Sequence, residues 1–469
     1  MSRIENRTFA ELQVGDSASI ARTLTQRDIE LFAIMSGDVN PAHVDEEFAK
    51  SDMFHHVIAH GMWGGALIST VLGTQLPGPG AIYLGQSLRF RHPVGLGDTI
   101  TITVRVAEKI PEKNRVVLDC VATNTKGEVV ISGTAEVIAP TEKISRERVT
   151  LPEVKLLERG RYYRQLIDKT RGVTPIRTAV VHPVDGFSLL SANEAAKAQL
   201  IVPVLIGPEL KIRAAARQVN LDLSTLEMLH APHSHAAAEL AVALARERKV
   251  DALMSGSLDR DELMHFVDCP PGLRTDRRIS HIFAADVPSY PRPLFITDAA
   301  LNIFPTVEEK RDIVQNAIDL AHALGISTPK VAILSARETV SARLPSTLDA
   351  AVLCKMADRG QITGGVLDGP LGFDVAVSEQ AAKAKGIASP VAGQADIFVV
   401  PDLEAGNMLT KQLQQFADAQ IAGLVIGGLV PIIPNRRTDD ILAQLGACAL
   451  ALLLVRHKQA ARARASVAG

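Results

Sequence analysis

Residues 36–49 read SGDVNPAHVDEEFA, and the tripeptide His60-Gly61-Met62 follows seventeen residues after His43. Asp38 and His43 flank Asn40-Pro41, a pair that favours a turn and therefore holds both side chains on one irregular loop. A carboxylate beside an imidazole can hold a water molecule and exchange protons with it, as hydration of an activated double bond requires. On spacing alone, an Asx turn followed by a surface histidine explains the same residues.

An apolar, glycine-rich run begins at Gly61 and reads GMWGGALI. It predicts the start of a long buried helix. Because Gly61 has no side chain, its backbone N–H is open to a ligand at the helix end that carries partial positive charge. A thioester carbonyl placed there would be polarised as its oxygen gains negative charge. A glycine-rich packing contact of a buried helix is the alternative interpretation.

Alternating β-type segments follow this helix at residues 99–106, 116–123 and 129–137, and together they predict an α+β domain. The chain then becomes polar and charged, with no apolar face long enough to build a core. We therefore predict a first domain at residues 1–140, a linker at 141–160 and a second domain at 161–469.

Short apolar runs alternate with amphipathic helical stretches throughout the second half of the chain. Such runs are typical of strands that are buried on both faces of a parallel sheet, so the second domain is predicted to be α/β. The runs lie at residues 178–182, 202–206, 252–254, 294–297, 331–334, 365–367, 397–400 and 424–426. The longest apolar stretch, residues 441–455, is too short to span a membrane and is predicted to be a buried helix.

Composition limits the classes of partner. The chain has 47% hydrophobic and 22% charged residues and a formal net charge of −2, which offers no general attraction for nucleic acid. Its start lacks the apolar run of a signal peptide, so a cytoplasmic protein without membrane association is expected. The four cysteines are far apart with no CxxC pair, and no metal site is expected.

Residues of about 8–138 resemble the MaoC-like (R)-specific enoyl-CoA hydratases. The motifs GDVNPAH, AHGM and AIYLGQSLRFRHPVGLGDTI occur in the family's order. The resemblance implies a hot-dog fold, in which a β-sheet wraps a long central helix, and a dimer that forms the acyl-chain tunnel. It implies Asp38 and His43 as the catalytic acid/base pair, Gly61 as the oxyanion donor and Ser69 as a supporting residue.

Several strand ends in the second half are acidic or glycine-rich, at residues 367–370, 400–407 and 427–428. Ligands of open α/β sheets collect where strands end and helices begin. Arginines occur in pairs at 277–278 and 436–437, and a guanidinium can donate two parallel hydrogen bonds to phosphate. Taken singly, each pair is more typical of a solvated surface.

Residues of about 160–460 resemble the phosphate acetyl/butyryltransferases. The resemblance is carried by GLRTDRRISHIF, RPLFITDAALNI, GGVLDGPLGFD, SPVAGQADIFVVPDLEAGN and PIIPNRRTDDI. It implies a two-lobed phosphotransacetylase-type fold, similar to isocitrate and isopropylmalate dehydrogenases, and a homodimer or higher oligomer. The lobes are expected at about 161–290 plus 435–469, and at 291–434.

By the same resemblance, Arg278 and Arg437 bind the phosphoryl group or coenzyme A, and Asp439 takes the thiol proton. Asp368 and Ser389 are expected to line the cleft. The implied reaction converts acyl-CoA and phosphate into acyl phosphate and CoA, without metal. CoA thioesters and inorganic phosphate are then substrates, and no bound cofactor is expected.

The sequence departs from the family pattern at Arg436, where a serine is usual, and at Ser255, where butyryl-type relatives tend to carry lysine. These departures favour an alternative, a non-catalytic acyl-CoA-binding C-terminal domain beside an active hydratase. A nucleotide-linked dehydrogenase is a third candidate, but no GxGxxG opens a helix after a strand.

Overall fold

The computed structural model describes residues 3–154, 156–435 and 440–468. The chain divides into two compact units, Met1–Leu156 and Leu157–Gly469. The predicted linker, residues 141–160, crosses this division. Its residues Ser145–Glu147 form a strand that pairs with Arg3–Glu5, so the start of the predicted linker is part of the first unit.

The first unit is an antiparallel sheet with a long apolar helix against it, and the sheet order is β2-β4-β5-β6-β3. Its strands are β1 (Arg3–Glu5), β2 (Ser17–Thr23), β3 (Ile82–Phe90), β4 (Thr99–Ile110), β5 (Arg115–Asn124), β6 (Val129–Ile138) and β7 (Ser145–Glu147). Its helices are α1 (Gln26–Ser36), α2 (Pro41–Val44), α3 (Glu46–Ser51) and α4 (Gly61–Thr74). A sheet around one helix is the predicted hot-dog arrangement.

Helix α4 lies close to the sheet because glycine replaces a side chain on its buried face. A Cβ on Gly64 would lie 2.2 Å from Cδ1 of Ile131 in β6, a distance that no real contact allows. Trp63, Ile68 and Val71 are buried from the same helix. Alternate residues of β4 are buried, which is the period-2 pattern predicted for one face of a strand.

The second unit has an α/β order of elements. Its strands are β8 (Ile176–Val181), β9 (Ile201–Gly207), β10 (Glu227–His230), β11 (Ala252–Ser255), β12 (Ser280–Asp286), β13 (Leu294–Thr297), β14 (Lys330–Leu334), β15 (Val366–Leu371), β16 (Ile397–Val399), β17 (Gln420–Ile426) and β18 (Ile432–Ile433). Its helices are α5 (Arg161–Lys169), α6 (Gly186–Lys197), α7 (Glu209–Gln218), α8 (Ser234–Arg246), α9 (Arg260–Asp268), α10 (Val307–Ala323), α11 (Pro345–Asp358), α12 (Phe373–Val377), α13 (Glu379–Ala384), α14 (Leu403–Phe416) and α15 (Ile441–Ala468).

These strands form one continuous sheet in the order β10-β9-β8-β11-β18-β17-β12-β13-β16-β14-β15. The expectation of a parallel sheet holds at both ends but is wrong at the centre, where β12 is antiparallel to both β13 and β17. The apolar runs of such buried strands carry no information about direction, so the sequence pattern is the same for both arrangements. Strands of both predicted lobes therefore belong to one sheet, in which β12 of the first lobe pairs with β17 of the second.

Helix α15 is the predicted buried helix at residues 441–455, extended to Ala468. Residues Ile441–Arg464 are long and apolar enough to cross a membrane by length and composition, but most of the tested window is buried inside the protein. The helix packs on α5, α6 and β17. Its apolar face is thus covered by protein, as for a core helix.

Candidate active sites

The loop between α1 and α2 brings Asp38 and His43 together by local hydrogen bonds. Helix α1 ends at Gly37, whose φ of 75° lies in the left-handed region that glycine adopts without strain. Asp38 then accepts a hydrogen bond from the N–H of Asn40 at 3.2 Å, and Asn40 caps α2 by accepting from Ala42 at 3.2 Å. This is the Asx turn that the alternative interpretation of the sequence expected. The same turn also positions Asp38 and His43.

His43 is held in one tautomer. Its Nδ1 lies 2.9 Å from the carbonyl oxygen of Ile58, and a carbonyl oxygen only accepts, so Nδ1 carries the proton. The Nε2 atom of His43 is then unprotonated when the ring is neutral. An imidazole in this state can act as a general base through Nε2, and its bond to the backbone carbonyl fixes the orientation of the ring.

His60 completes the cluster, although sequence reasoning gave it no role. Its Nε2 donates to the carbonyl oxygen of Asp38 at 3.0 Å, and its ring lies 4.1 Å from that of His43 between centroids. The ring is buried, and its Nδ1 has no hydrogen-bond partner among the residues that the structure describes. Ligand-type atoms of Asp38, His43 and His60 all lie within 4.8 Å of one another.

A mostly apolar cavity of about 360 Å³ opens beside this cluster. His43, His60 and Gly61 line it, with Phe90 and Ile131 among the apolar walls. Gly61 is the first residue of α4, so its N–H belongs to the helix end that has no intrahelical acceptor. The structure therefore brings together the predicted base and the predicted oxyanion donor.

Ser69, the predicted supporting residue, lies elsewhere on α4. It is exposed, two turns along the helix from Gly61, and does not belong to the described lining of the cavity. The supporting role of Ser69 stays a prediction, and within the described chain the contacts with Asp38 and His43 come from His60. The signal for His60 was present in the sequence, as the histidine immediately before the glycine-rich run.

The second unit has a cleft with cavities of about 650 Å³ and about 680 Å³. Both are lined by Asp259, Arg260 and Asn435, so the cavities meet at these residues. His281 and Lys411 also line the cavity of about 650 Å³. Sequence reasoning named neither His281 nor Lys411, because each comes from a segment whose place in the cleft depends on the sheet order.

Asn435 is fixed at the junction of the cavities. Its N–H donates to Oγ of Ser255 at 2.8 Å, and its side-chain Nδ2 donates to Oγ of Ser188 at 2.8 Å. Its Oδ1 is buried and has no partner among the described residues. Ser255, a departure from the family pattern, thus has a structural task, since it holds the segment that leads into residue 436.

Arg278 is held by a buried polar chain rather than directed into the cleft. Its Nε donates to Oδ1 of Asn302 at 2.6 Å, and its guanidinium pairs with Glu309 at 3.2 Å. Asn302 in turn donates to Oδ2 of Asp298 at 2.5 Å. Burial raises the pKa of the Asp298 carboxyl above its usual range, against the opposing effect of the N–H donors around it. Arg278 is absent from the described linings of both cavities.

The remaining predicted residues are placed as follows. Asp368 lies within β15, at the far edge of the sheet, rather than at a strand end as expected. Oγ of Ser389 accepts from the N–H groups of Val391 and Ala392 and so caps a turn. Neither Asp368 nor Ser389 is among the described residues that line these two cavities, and their place in the cleft stays a prediction. Arg437 and Asp439 lie outside the described residues, as does Arg436.

Comparison with known proteins identifies the second unit. Residues 233–434 match the family model described as "Phosphate acetyl/butaryl transferase". A phosphate acetyltransferase from Rhizobium meliloti is 57% identical over 304 residues, which are 65% of this chain and 96% of the relative. The chain belongs to the phosphate acetyl/butyryltransferase family. A branched-chain phosphotransacylase structure from Enterococcus faecalis is 27% identical, with a TM-score of 0.53 over 60% of this chain and 99% of that chain.

The first unit of this phosphate acetyl/butyryltransferase matches a second family. Residues 12–127 match the model of the MaoC like domain. An R-hydratase structure from Pseudomonas aeruginosa is 47% identical over 33% of this chain and 99% of that chain, with a TM-score of 0.32. The predicted fusion of a MaoC-like domain with a phosphate acetyl/butyryltransferase domain is confirmed.

The Asp298–Asn302 contact predicts how Asn302→Ala changes stability with pH. Loss of the buried amide should cost about 1–3 kcal/mol of unfolding free energy. Because burial raises the folded-state pKa of Asp298, folding favours its protonated form, and stability falls as the pH rises above the usual aspartate value of about 4. Removing a donor raises this pKa further. The destabilisation, measured by denaturant unfolding, should be larger at about pH 8 than at about pH 5.

Asn316→Ala is the matched control. Asn316 is equally buried and donates to the carbonyl oxygen of Arg278 and to Oγ of Ser280, both at 2.9 Å, without contacting a carboxylate. Its destabilisation should be the same at both pH values. Equal pH dependence of the two variants would contradict the role given to Asn302.

Proposed function

We propose that the first unit hydrates trans-2-enoyl-CoA to (R)-3-hydroxyacyl-CoA. The observation that carries the proposal is the bond from Nδ1 of His43 to the carbonyl of Ile58, which leaves Nε2 free beside Asp38. The acyl chain fits an apolar cavity that begins at this cluster. The match to the MaoC like domain supports the same conclusion.

In the proposed reaction, Asp38 and His43 hold a water molecule between them. The pair takes one proton from the water as its oxygen bonds to C3 of the enoyl group, and returns a proton to C2. Negative charge develops meanwhile on the thioester oxygen. The N–H of Gly61, at the positive end of α4, is suited to stabilise that charge. His60 acts by positioning, since it fixes the Asp38 backbone and stacks on His43.

We expect Asp38→Asn and His43→Ala each to lower crotonyl-CoA hydration by about 10²–10⁴-fold, because each removes one member of the proton-transfer pair. Acyltransfer by the same protein should be unchanged. Asp45→Asn is the control, because Asp45 caps α3 and asparagine caps equally well. Near-normal hydration by either site variant in folded protein, measured as loss of the enoyl absorbance, would refute the assignment.

We also propose that the first unit self-associates through β3. This strand is at the edge of the sheet, and its Ile82 and Leu84 are 57% and 49% exposed. An exposed apolar edge strand is ordinarily covered by another chain. Pairing of two such edges would join the two sheets and place exposed residues of α4, including Ser69, near the partner.

One chain has a mass of 50.2 kDa, and we therefore expect the protein in solution to have the mass of two or more chains. Leu84→Glu should lower the average mass seen by sedimentation velocity, because the contact would bury the new charge. Leu210→Glu changes a more exposed leucine, 84% exposed, in the second unit and should have no effect. A monomeric wild-type chain at micromolar concentration would rule out this interface.

For the second unit, we propose reversible acyl transfer between CoA and phosphate, with acetyl or butyryl groups as substrates and activity in the cytoplasm. The identity to the Rhizobium meliloti phosphate acetyltransferase carries this proposal. Asn435 lines the cleft, and the residues that follow it in sequence match the family motif PIIPNRRTDDI. By that match, Arg437 is proposed to bind phosphate and Asp439 to take the thiol proton. Towards acyl phosphate, a phosphate oxygen attacks the thioester carbonyl, the C–S bond breaks and the proton that phosphate loses passes to the CoA sulfur. In the reverse direction Asp439 takes the thiol proton as the sulfur attacks acyl phosphate and phosphate leaves.

A non-catalytic acyl-CoA-binding role for the second unit remains the second candidate, because Arg436 departs from the family serine. The test is CoA release from acetyl-CoA and butyryl-CoA, which should require phosphate. Arg437→Ala should slow this release by about 10²-fold or more and raise the phosphate requirement, since it leaves developing charge unpaired. Lys249→Met, far from the cleft lining, is the control. Absence of release together with calorimetric CoA binding would establish the binding role instead.

A further inference from the structure

A third cavity of the second unit, of about 480 Å³, lies apart from the cleft. It is formed by the end of α8, the residues before β11, residues 429–431 and the second half of α15. It shares none of its described lining residues with the two cavities of the cleft. The proposed acyl transfer makes no use of it.

The lining of this cavity is strongly cationic. Among the residues that the structure describes, Arg246, Arg248, Lys458 and Arg462 line it, against one acidic residue, Asp251. The whole chain has a net charge of −2, so this concentration of positive charge is local. Cationic concave surfaces focus the electric field and attract anions.

The nearby carboxylates are already engaged with other groups. Asp251 accepts from Nε2 of Gln459 at 3.2 Å and from the N–H of Arg177 at 3.0 Å. Glu247, which lies between two of the arginines in sequence, pairs with Lys249 at 2.7 Å. Within the described part of the chain, the four cations of the cavity have no salt-bridge partner.

Lys458 is the least solvated of the four. Burial lowers the pKa of its ammonium group, the nearby Asp319 opposes that shift, and Arg277 and Arg462 add to it. Asp319 is itself paired with Arg277. A partly buried ammonium without its own counter-ion costs folding free energy, and a bound anion would recover that cost.

The rest of the lining is apolar, from Val250, Leu429, Val430, Pro431 and Val455. Inorganic phosphate would use the cations alone, whereas an organic phosphate would also cover these side chains. We propose that this cavity binds a small organic phosphate, with its charged group on Lys458 and Arg462 and its organic part against the apolar wall.

The test is isothermal titration of the full chain with ADP as the probe, in the presence of saturating CoA to fill the cleft. One CoA-insensitive ADP site per chain is expected. Lys458→Met preserves the length of the side chain and removes its charge, and should weaken ADP binding at least tenfold. Lys249→Met removes a neighbouring exposed charge outside the cavity and should leave the ADP affinity unchanged.

The proposal is overturned if saturating CoA abolishes ADP binding, because ADP would then occupy the cleft. It is also overturned if Lys458→Met and wild type bind ADP equally. Titration with pyrophosphate, which has no organic part, is a further test. Pyrophosphate should bind more weakly than ADP at the same site, and equal affinity would remove the apolar wall from the proposal. Thermal melting checks that each variant is folded.

Discussion

Each unit of this protein depends on the burial of one apolar helix. Helix α4 in the first unit and α15 in the second are too apolar to face water, and burial of each large side chain contributes about 1.5–3 kcal/mol. Glycine permits close approach in both cases. A Cβ on Gly64 would overlap Ile131, and one on Gly446 would lie 2.7 Å from the ring of Tyr163. The sheets are arranged to cover these helices.

The same constraint places the chemistry. A buried helix must still begin at a surface, and the segments that precede α4 and α15 carry the candidate catalytic groups. His60 lies directly before the first residue of α4, and Asn435 precedes α15 by a few residues. The segment before α4 therefore meets a helix end that has free N–H groups and partial positive charge. The start of α15 is capped instead, because Oδ1 of Asp440 accepts from the N–H of Ala443 at 2.7 Å. Acyl-thioester chemistry develops negative charge on oxygen, which such an end stabilises.

Polar groups inside each unit are fixed by bonds to the backbone. Nδ1 of His43 donates to Ile58, Nε2 of His60 donates to Asp38, and Nδ2 of Asn302 donates to the carbonyl of Ile279. A backbone acceptor cannot change its protonation state, so each bond also fixes the orientation of the side chain. This order in the absence of substrate reduces the reorganisation that the reaction requires.

The sequence alone predicted most of the local structure. The turn at Asn40-Pro41, the helix that begins at Gly61 and strands such as 294–297 follow from residue preferences and apolar period, which act over a few residues. Family motifs identified both domains and the pair Asp38 and His43. These features are determined by residues that are close together in the sequence, and so the sequence is enough to predict them.

Tertiary structure decided what depends on distant segments. An apolar run has no direction, so the antiparallel β12 at the centre of the sheet was not predictable from its burial pattern. The same limit applies to Asp368, because the position of its strand at the edge of the sheet follows from the strand order. The stacking of His60 on His43, and a cationic cavity assembled from α8 and α15, arise because packing brings together residues that are far apart in sequence.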